Sequence, residues 1–403
     1  MAIIYPDGID FDLLRGIGPL GLAVSGGSDS TAMAVLLTEA GIPDLEILHV
    51  DHGLRPHSSA DADDVEYLAD ILGLSFMRLF AEGTPQGSLQ AWARGERYRL
   101  LAEAARDLGL CAVVTAHTLD DQAETVLMRL ARGSGVRGLS AIRPDSTLNG
   151  LRLLRPFLGA RRADLRHALS ERNITWREDP SNDDPRFDRT SIRNAQPLLE
   201  ILGITPERLA TTAQHLRRAS DAIDDAANAL WAQTVREDRV GCITIAREPW
   251  LCAPEEVRLR TLARAFARAG GAPHTPRFRS ISKAAAIAEA GEGRTTLSHA
   301  VITASPAAIE LWREFRDIAP VSLSPGQTAI FDNRYEIALD EDAPEMLVAP
   351  LGAWAKLCPS IGQLEARRTV PGLFLGGKLL AAPSLGVRTK GVAANIALVR
   401  RLG

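Results

Sequence analysis

The sequence predicts an α/β fold: a doubly wound, mostly parallel sheet, followed by a small mainly helical domain and a small C-terminal domain of mixed α/β character. Three observations predict it. Between residues 20 and 157 short apolar runs alternate with longer stretches of 3.6-residue periodicity, the pattern of parallel strands covered by helices. Over 205–234 one long alanine-rich helical pattern follows. Beyond about Glu314, proline and glycine become frequent between short strand-like runs. With 403 residues, and roughly 100–200 residues per domain, the chain has room for several cores. The expected boundaries are 1–202, 203–314 and 315–403.

Each element has a local reason. Candidate strands are the apolar runs 20–24, 45–50, 75–80 and 111–115. Between them 29–40, 58–72 and 89–108 read as amphipathic crossover helices, with Gly73 and Gly109 just past the ends of two, where a left-handed residue closes a helix. The stretch 158–202 is helical except for Glu178-Asp179-Pro180-Ser181-Asn182-Asp183-Asp184-Pro185, which must be a loop because its prolines break helices. In the second domain 240–245 reads as a strand, and 259–269 and 281–289 as helices. In the third, 328–331 and 335–339 read as strands.

Composition narrows the function. Hydrophobic residues at 46% and charged residues at 24% exclude a disordered or fibrous chain. No run approaches the roughly 18 apolar residues of a spanning helix, and Met1-Ala2-Ile3-Ile4-Tyr5-Pro6 lacks the layout of a signal peptide, so a cytoplasmic protein with no membrane partner is expected. Cys111, Cys242, Cys252 and Cys358 form no C-x-x-C pair; they are expected as buried free thiols, Cys111 within a buried strand. A net charge of −4 means that any nucleic-acid footprint must be local. Lysine occurs only at Lys283, Lys356, Lys378 and Lys390, so a Walker-type phosphate loop and a Schiff-base lysine are excluded from the N-terminal half.

A phosphate loop of another kind is present. The first strand runs into Ser25-Gly26-Gly27-Ser28-Asp29-Ser30 and then into a helix. Two glycines let the backbone approach an anion, the helix offers unpaired N–H groups and its positive dipole end, and three serine hydroxyls add donors. The string stands at a strand's carboxyl end, where open α/β sheets bind ligands. Asp29 beside bound phosphates would repel them unless a divalent cation lay between, which implies a nucleoside triphosphate with Mg²⁺ and makes Asp29 both a metal ligand and a catalytic candidate. These residues resemble the PP-loop ATP pyrophosphatase superfamily. The resemblance implies cleavage of ATP between its α- and β-phosphates, with AMP passed to a substrate oxygen.

Three further strings narrow the resemblance: His49-Val50-Asp51-His52-Gly53-Leu54-Arg55, Arg94-Gly95-Glu96-Arg97-Tyr98, and Ala116-His117-Thr118-Leu119-Asp120-Asp121-Gln122-Ala123-Glu124-Thr125, continuing through Arg132 and Arg137 to Leu139. Together they resemble the tRNA(Ile)-lysidine synthetase family over about the first 200 residues. The resemblance implies ligation of L-lysine to C2 of the wobble cytidine in the CAU anticodon of tRNA(Ile), through an adenylated cytidine. The product, lysidine, pairs with A rather than G, so decoding moves from AUG to AUA. A homodimer is compatible with it.

Read physically, His49 and Asp51 lie at the strand edge expected to hold the adenine or ribose of ATP; a metal site there would be a poor chelate, since an extended segment sends alternate side chains to opposite faces. His117 is either a packing histidine or part of the site. Asp120, Asp121 and Glu124 start a helix, where carboxylates also serve as caps. Asp120 or Asp121 shares a face with Glu124. The trio suits catalysis or recognition of a substrate cation; the resemblance implies that this cation is lysine, bound by Asp121 and Glu124, with one of the three taking the proton from its ε-amino group. The glycine-punctuated segment 132–139 is expected as a mobile loop whose Arg132 and Arg137 meet RNA.

Residues 151–220 carry 13 Arg against 9 Asp and Glu, a local basic excess where tRNA can dock. Arg97, Arg189, Arg217 and Arg218 join the RNA-binding candidates, although a solvated helix face is the alternative for Arg161, Arg162, Arg166, Arg217 and Arg218 taken singly. Asp179-Pro180-Ser181-Asn182 and Arg189-Thr190-Ser191-Ile192-Arg193 resemble family strings, with Thr190 where the family usually has asparagine. That resemblance leaves Arg189 and Arg193 as anion binders, and Arg193 as a catalytic stabiliser of the α-phosphate. By resemblance the second and third domains grip the tRNA. Two rivals stand beside this reading: a PP-loop tRNA cytidine thiolase, which needs paired cysteines, and a non-catalytic tRNA-binding protein.

Overall fold

The structure, a computed structural model, describes residues 4–53, 58–83, 88–148, 150–178, 188–272, 276, 278–359, 361–389 and 397–401. The chain divides into two compact units, 1–220 and 221–403.

The first unit is built on β1 (Leu20–Ala23), α1 (Ser28–Glu39), β2 (Leu45–Asp51), α2 (Ser58–Leu72), β3 (Ser75–Phe80), α3 (Leu89–Asp107), β4 (Ala112–Val114), α4 (Leu119–Ala131), α5 (Val136–Leu139), β5 (Asp145–Leu148), β6 (Leu151–Leu154), α6 (Arg162–Glu171) and α7 (Asp188–Ile201). The first four expected strands and the crossover helices are all present. Gly73 and Gly109 both take the left-handed backbone, with φ of 67° and 65°. The sheet order is β3-β2-β1-β4-β6-β5, parallel except for β5 at the edge.

This order places the site. From β1 the chain winds outward through β2 and β3, then returns to lay β4 on the other side of β1, so the winding reverses between β1 and β4. A crevice opens at the carboxyl ends of two such strands. The segments leaving β1 and β4 are the Ser25–Ser30 loop and the acidic string. Helices α1, α2 and α6 cover one face, with Met33, Leu36, Val65 and Leu165 packed on Leu22 and Ile47; α3 covers the other, with Tyr98, Leu101 and Ala104 on Ala23, Leu48 and Val113. Sheet residues buried on both faces read as continuous apolar runs, which is why these strands were legible.

The second unit shares α8 (Pro206–Thr234) with the first and continues through β7 (Val235–Glu237), β8 (Ile243–Ala246), α9 (Arg247–Leu251), α10 (Glu255–Gly270), α11 (Phe278–Ala290), β9 (Arg294–Leu297), β10 (Ala300–Ala304) and β11 (Ala308–Arg313). The strands form an antiparallel sheet in the order β7-β8-β11-β10-β9, and Trp250, Leu262, Phe266 and Ile281 pack on Ile243, Ile245, Ile302 and Leu311. Four of these strands, β7 and β9 to β11, are additions to the expected elements. The turn between β9 and β10 uses Ser298 and His299, both left-handed at 48° and 60°, where glycine or asparagine would have marked it.

The remainder comprises β12 (Val321–Leu323), β13 (Thr328–Phe331), β14 (Tyr335–Leu339), β15 (Met346–Pro350), α12 (Leu364–Arg367), β16 (Pro371–Leu375), β17 (Lys378–Ala382), β18 (Val387–Arg388) and β19 (Ala397–Arg401), in two antiparallel sheets. Their core, with Phe331, Tyr335, Val348 and Leu373, also takes in Val240, Cys242, Val301 and Trp312. No helix among the described residues is long and apolar enough to cross a membrane.

Two expectations need correction. Cys111 is exposed, because it stands one residue before β4 rather than inside it, and Cys252 is exposed as well; only Cys242 and Cys358 are buried. The segment 132–139 contains a helical turn, α5, and is tied down: the Arg129 guanidinium donates to the carbonyls of Gly138 at 2.5 Å and Ala141 at 3.1 Å.

Candidate active site

The loop after β1 is shaped by its own residues. Gly26 has φ of 84°, a conformation that side chains resist, and any Cβ there would also meet Val65 at 3.4 Å. Ser30 Oγ accepts from the Ser25 backbone N–H at 3.1 Å and donates to the Gly27 carbonyl at 3.1 Å, drawing the loop into a ring. Gly27 is the N-cap of α1, and no side chain caps that end. A Cβ on Gly27 would come no closer than 3.8 Å to Ser25 Oγ, so there is open space in front of the helix. An uncapped, open helix N-terminus with hydroxyls around it fits the phosphates of a nucleotide.

Across the crevice α4 begins with a capping box: the Thr118 hydroxyl accepts from the Asp121 N–H at 3.3 Å, and Asp121 Oδ2 accepts from the Thr118 N–H at 2.9 Å. The capping role of Asp121 is therefore real, but it uses one oxygen. Its Oδ1 accepts from Arg162 at 3.2 Å.

Arg162, the first residue of α6, is the hub. Its Nε donates to Asp29 Oδ2 at 2.9 Å, its Nη2 to Asp121, and its Nη1 lies 3.5 Å from Glu124, while its backbone N–H donates to Asp120 at 2.8 Å. Three carboxylates from two helices thus hold one guanidinium. Burial pushes the Asp29 carboxyl above the usual carboxylate range, with Arg162 opposing. For Asp121 burial also pushes upward, but Arg162, His117 and the Thr118 N–H outweigh it and the carboxyl lies below its ordinary value. Glu124, only 1% exposed, carries Arg193 as well, with Nε at 2.6 Å, and Arg189 at 3.9 Å. Of the expected site residues, Asp29, Asp120, Asp121, Glu124, Arg189 and Arg193 are therefore brought together.

Others are placed elsewhere. His49 is buried, its Nδ1 bonded to the Val24 carbonyl at 2.9 Å, and Asp51 is buried against Arg78 at 2.7 Å and the Gly53 N–H at 2.9 Å. Both side chains fasten the strand ends together. Leu54, Arg55 and the Asp179-Pro180-Ser181-Asn182 string lie outside the described residues. Arg97 is half-buried, and Arg132, Arg137 and Arg218 are exposed.

Residues 15–198 match the family model of the PP-loop domain. A protein of Ruegeria pomeroyi named tRNA(Ile)-lysidine synthase is 36% identical over 376 residues, covering 91% of this chain and 89% of its own. The chain belongs to the tRNA(Ile)-lysidine synthase family. Relatives bearing the same name include one from Methylobacterium nodulans, 42% identical over 306 residues (73% of this chain, 90% of its own), and one from a Bradyrhizobium species, 45% identical over 267 residues (63% and 75%).

In this member of the lysidine synthase family, sequence reasoning overlooked Arg162 as a site residue. A doubled arginine before an amphipathic helix is also what a solvated face looks like. The available signal was the surplus of buried-site carboxylates, which needed a cation from somewhere. Arg217 differs from its neighbour: its Nη2 donates to the Ile142 carbonyl at 2.6 Å, whereas Arg218 points to solvent. Arg217→Ala is expected to destabilise the protein by about 1.5–3 kcal/mol in chemical unfolding, the range for a hydrogen bond from a charged donor. Arg218→Ala should stay within about 0.5 kcal/mol and instead weaken transcript binding, more at low salt than at high.

His117 gives the lysidine synthase fold a pH signature. Burial lowers its pKa from 6.5 to about 4, with Asp121 opposing, and Thr115 Oγ1 lies 2.9 Å from its Nδ1. Between those two values the unfolded chain binds a proton that the folded chain does not. Stability should therefore be full above pH 6.5 and fall toward pH 4. In His117→Asn that part of the slope should vanish; an unchanged slope in unfolding measurements would contradict the assignment.

Proposed function

We propose that this protein ligates L-lysine to C2 of the wobble cytidine of tRNA(Ile) bearing the CAU anticodon, at the expense of ATP, giving lysidine and AUA decoding. The observation that carries the reading is the pairing, at one switch point, of an uncapped phosphate-cradling helix with a carboxylate cluster that holds a cation. Membership of the lysidine synthase family supports it.

The residues divide the work. The amides of Ser28 to Ser30 and the hydroxyls around them take the triphosphate. ATP supplies the adenylyl group that turns the C2 oxygen of cytosine into part of a leaving group. Magnesium is usually bound by one or two carboxylates together with substrate phosphates, and no cluster of three or more metal-ligating side chains occurs among the described residues. Asp29, in the first turn of α1, fits that pattern and is the residue that would hold the ion, which supplies charge neutralisation between the phosphates. Arg193, one turn beyond Arg189 on α7, would counter charge on the α-phosphate. Asp121 and Glu124 already share a guanidinium, that of Arg162, so these two carboxylates suit the ammonium group of lysine, and one of the trio Asp120, Asp121 and Glu124 accepts the proton that the attacking amine loses. Exposed Arg132, Arg137 and Arg218 offer charge to the RNA backbone, and 203–314 and 315–403 extend the contact.

The test is mass spectrometry of the wobble nucleoside after incubation of a CAU-anticodon transcript with the protein, ATP, Mg²⁺ and lysine. The expected product has the mass of cytidine plus lysine less water. A product that forms without lysine points to other chemistry, and no modified nucleoside overturns the reading.

A further inference from the structure

His52 takes no part in the site described above, yet it borders it. It follows the last residue of β2, and its Nδ1 is shut off from solvent with no hydrogen-bond partner among the described residues. Buried polar atoms in that condition are uncommon and call for a cause. The indole of Trp92, on α3, stands beside the imidazole, ring centroids 6.4 Å apart and planes at 60°. Further along α3, Arg97 is half-buried, and no carboxylate among the described residues pairs with it. The nearby acids are committed: Glu96 to Arg99 at 2.8 Å and Asp51 to Arg78 at 2.7 Å.

The positive charge of Arg97 bears on both His52, just after β2, and His117, after β4, the two strands flanking β1. Helix α3 covers the sheet face opposite to α1. The phosphate cradle and this cluster therefore approach one switch point from opposite faces. A flat π surface, an unsatisfied ring nitrogen and a cation without a counter-ion make a poor metal site and more than a phosphate needs. They match a planar heterocycle that carries a carbonyl and an amino group on its edge.

We propose that His52, Trp92 and Arg97 form the pocket that receives the target pyrimidine base once it leaves the anticodon stack. Trp92 gives it a stacking face, His52 Nδ1 bonds a group on its edge, and Arg97 faces its carbonyl oxygen. The assignment rests on the lysidine-forming function proposed above.

Two ligands separate the outcomes. The first is α,β-methylene-ATP with Mg²⁺, titrated calorimetrically; the second is an anticodon stem-loop carrying either cytidine or an abasic nucleotide at the wobble position, measured by competition. Wild-type protein should prefer cytidine. Trp92→Ala should weaken the cytidine stem-loop by roughly five- to a hundredfold, the range for one base stacked on an aromatic ring, and erase the preference. Arg97→Gln and His52→Leu should reduce the preference, and all three should keep nucleotide affinity within about twofold. Trp92→Phe should restore most of the loss. Because His52→Leu removes an unpartnered buried atom, it should melt no lower than wild type, so it carries the test even if Trp92→Ala folds poorly. Weaker nucleotide binding with the preference intact would assign the pocket to adenine and overturn the proposal; unchanged binding of both ligands would overturn it too. Failure of wild-type protein to make lysidine strikes the function itself, a separate result.

Discussion

Asp29→Ala should lower lysine-dependent turnover at least about a hundredfold while leaving affinity for the transcript nearly unchanged. Loss of groups that merely support a metal ligand costs about 10- to 100-fold, and Asp29 is proposed as the ligand itself. Transcript affinity rests on phosphate contacts elsewhere. The stability effect should run the other way. Burial raises the Asp29 carboxyl above its ordinary 3.8, so its ionised form is disfavoured in the folded chain; the stability tied to it is full below 3.8 and lost as pH rises through the folded value. At neutral pH, then, Asp29→Asn should not lower the melting temperature, which thermal unfolding of variant and wild type at pH 7 checks. Parallel losses of turnover and transcript binding would count against the assigned role.

Arg162→Ala is the second large effect. It leaves Asp29, Asp121 and Glu124 facing one another without the cation that all three share. Removing one partner of a buried ion pair costs about 3–5 kcal/mol, and the lower end applies because Glu124 keeps Arg193. Affinity for the nucleotide without magnesium should fall, since Asp29 and Asp121, deprived of their shared cation, repel phosphate. Arg162→Lys should recover little of this. An ammonium is a point charge and cannot reach three carboxylates from a planar fork. Denaturant unfolding and nucleotide titration together check it; a lysine variant indistinguishable from wild type in both would show that charge alone is needed.

The parts of the site that were legible are those made within a few residues. Ser25 to Ser30 sits between an apolar run and a helical pattern, and the acidic string opens a helix, so spacing along the chain was enough to find both. The edge hairpin of β5 and β6 could have been found in the same way, because Asn149-Gly150 is a hairpin dipeptide. The histidine string was harder. His49 and Asp51 looked like ligand contacts, yet they bond to Val24 and Arg78, while His52, next along, is the one left with an unsatisfied nitrogen.

Sequence by itself determined the order of the first four strands and their crossover helices, the glycine-serine loop after β1 and the acidic start of α4, because each depends on side-chain periodicity or on a cap and its near neighbours. Only the tertiary structure decided that the winding reverses between β1 and β4, which sets the two segments face to face. It also decided that Arg162, separated by 133 residues from Asp29 and by 41 from Asp121, is the cation they enclose. An arginine's charge is the same in either setting. Whether it is spent on water or on three carboxylates depends on which strand ends the sheet brings together, and no local pattern records that.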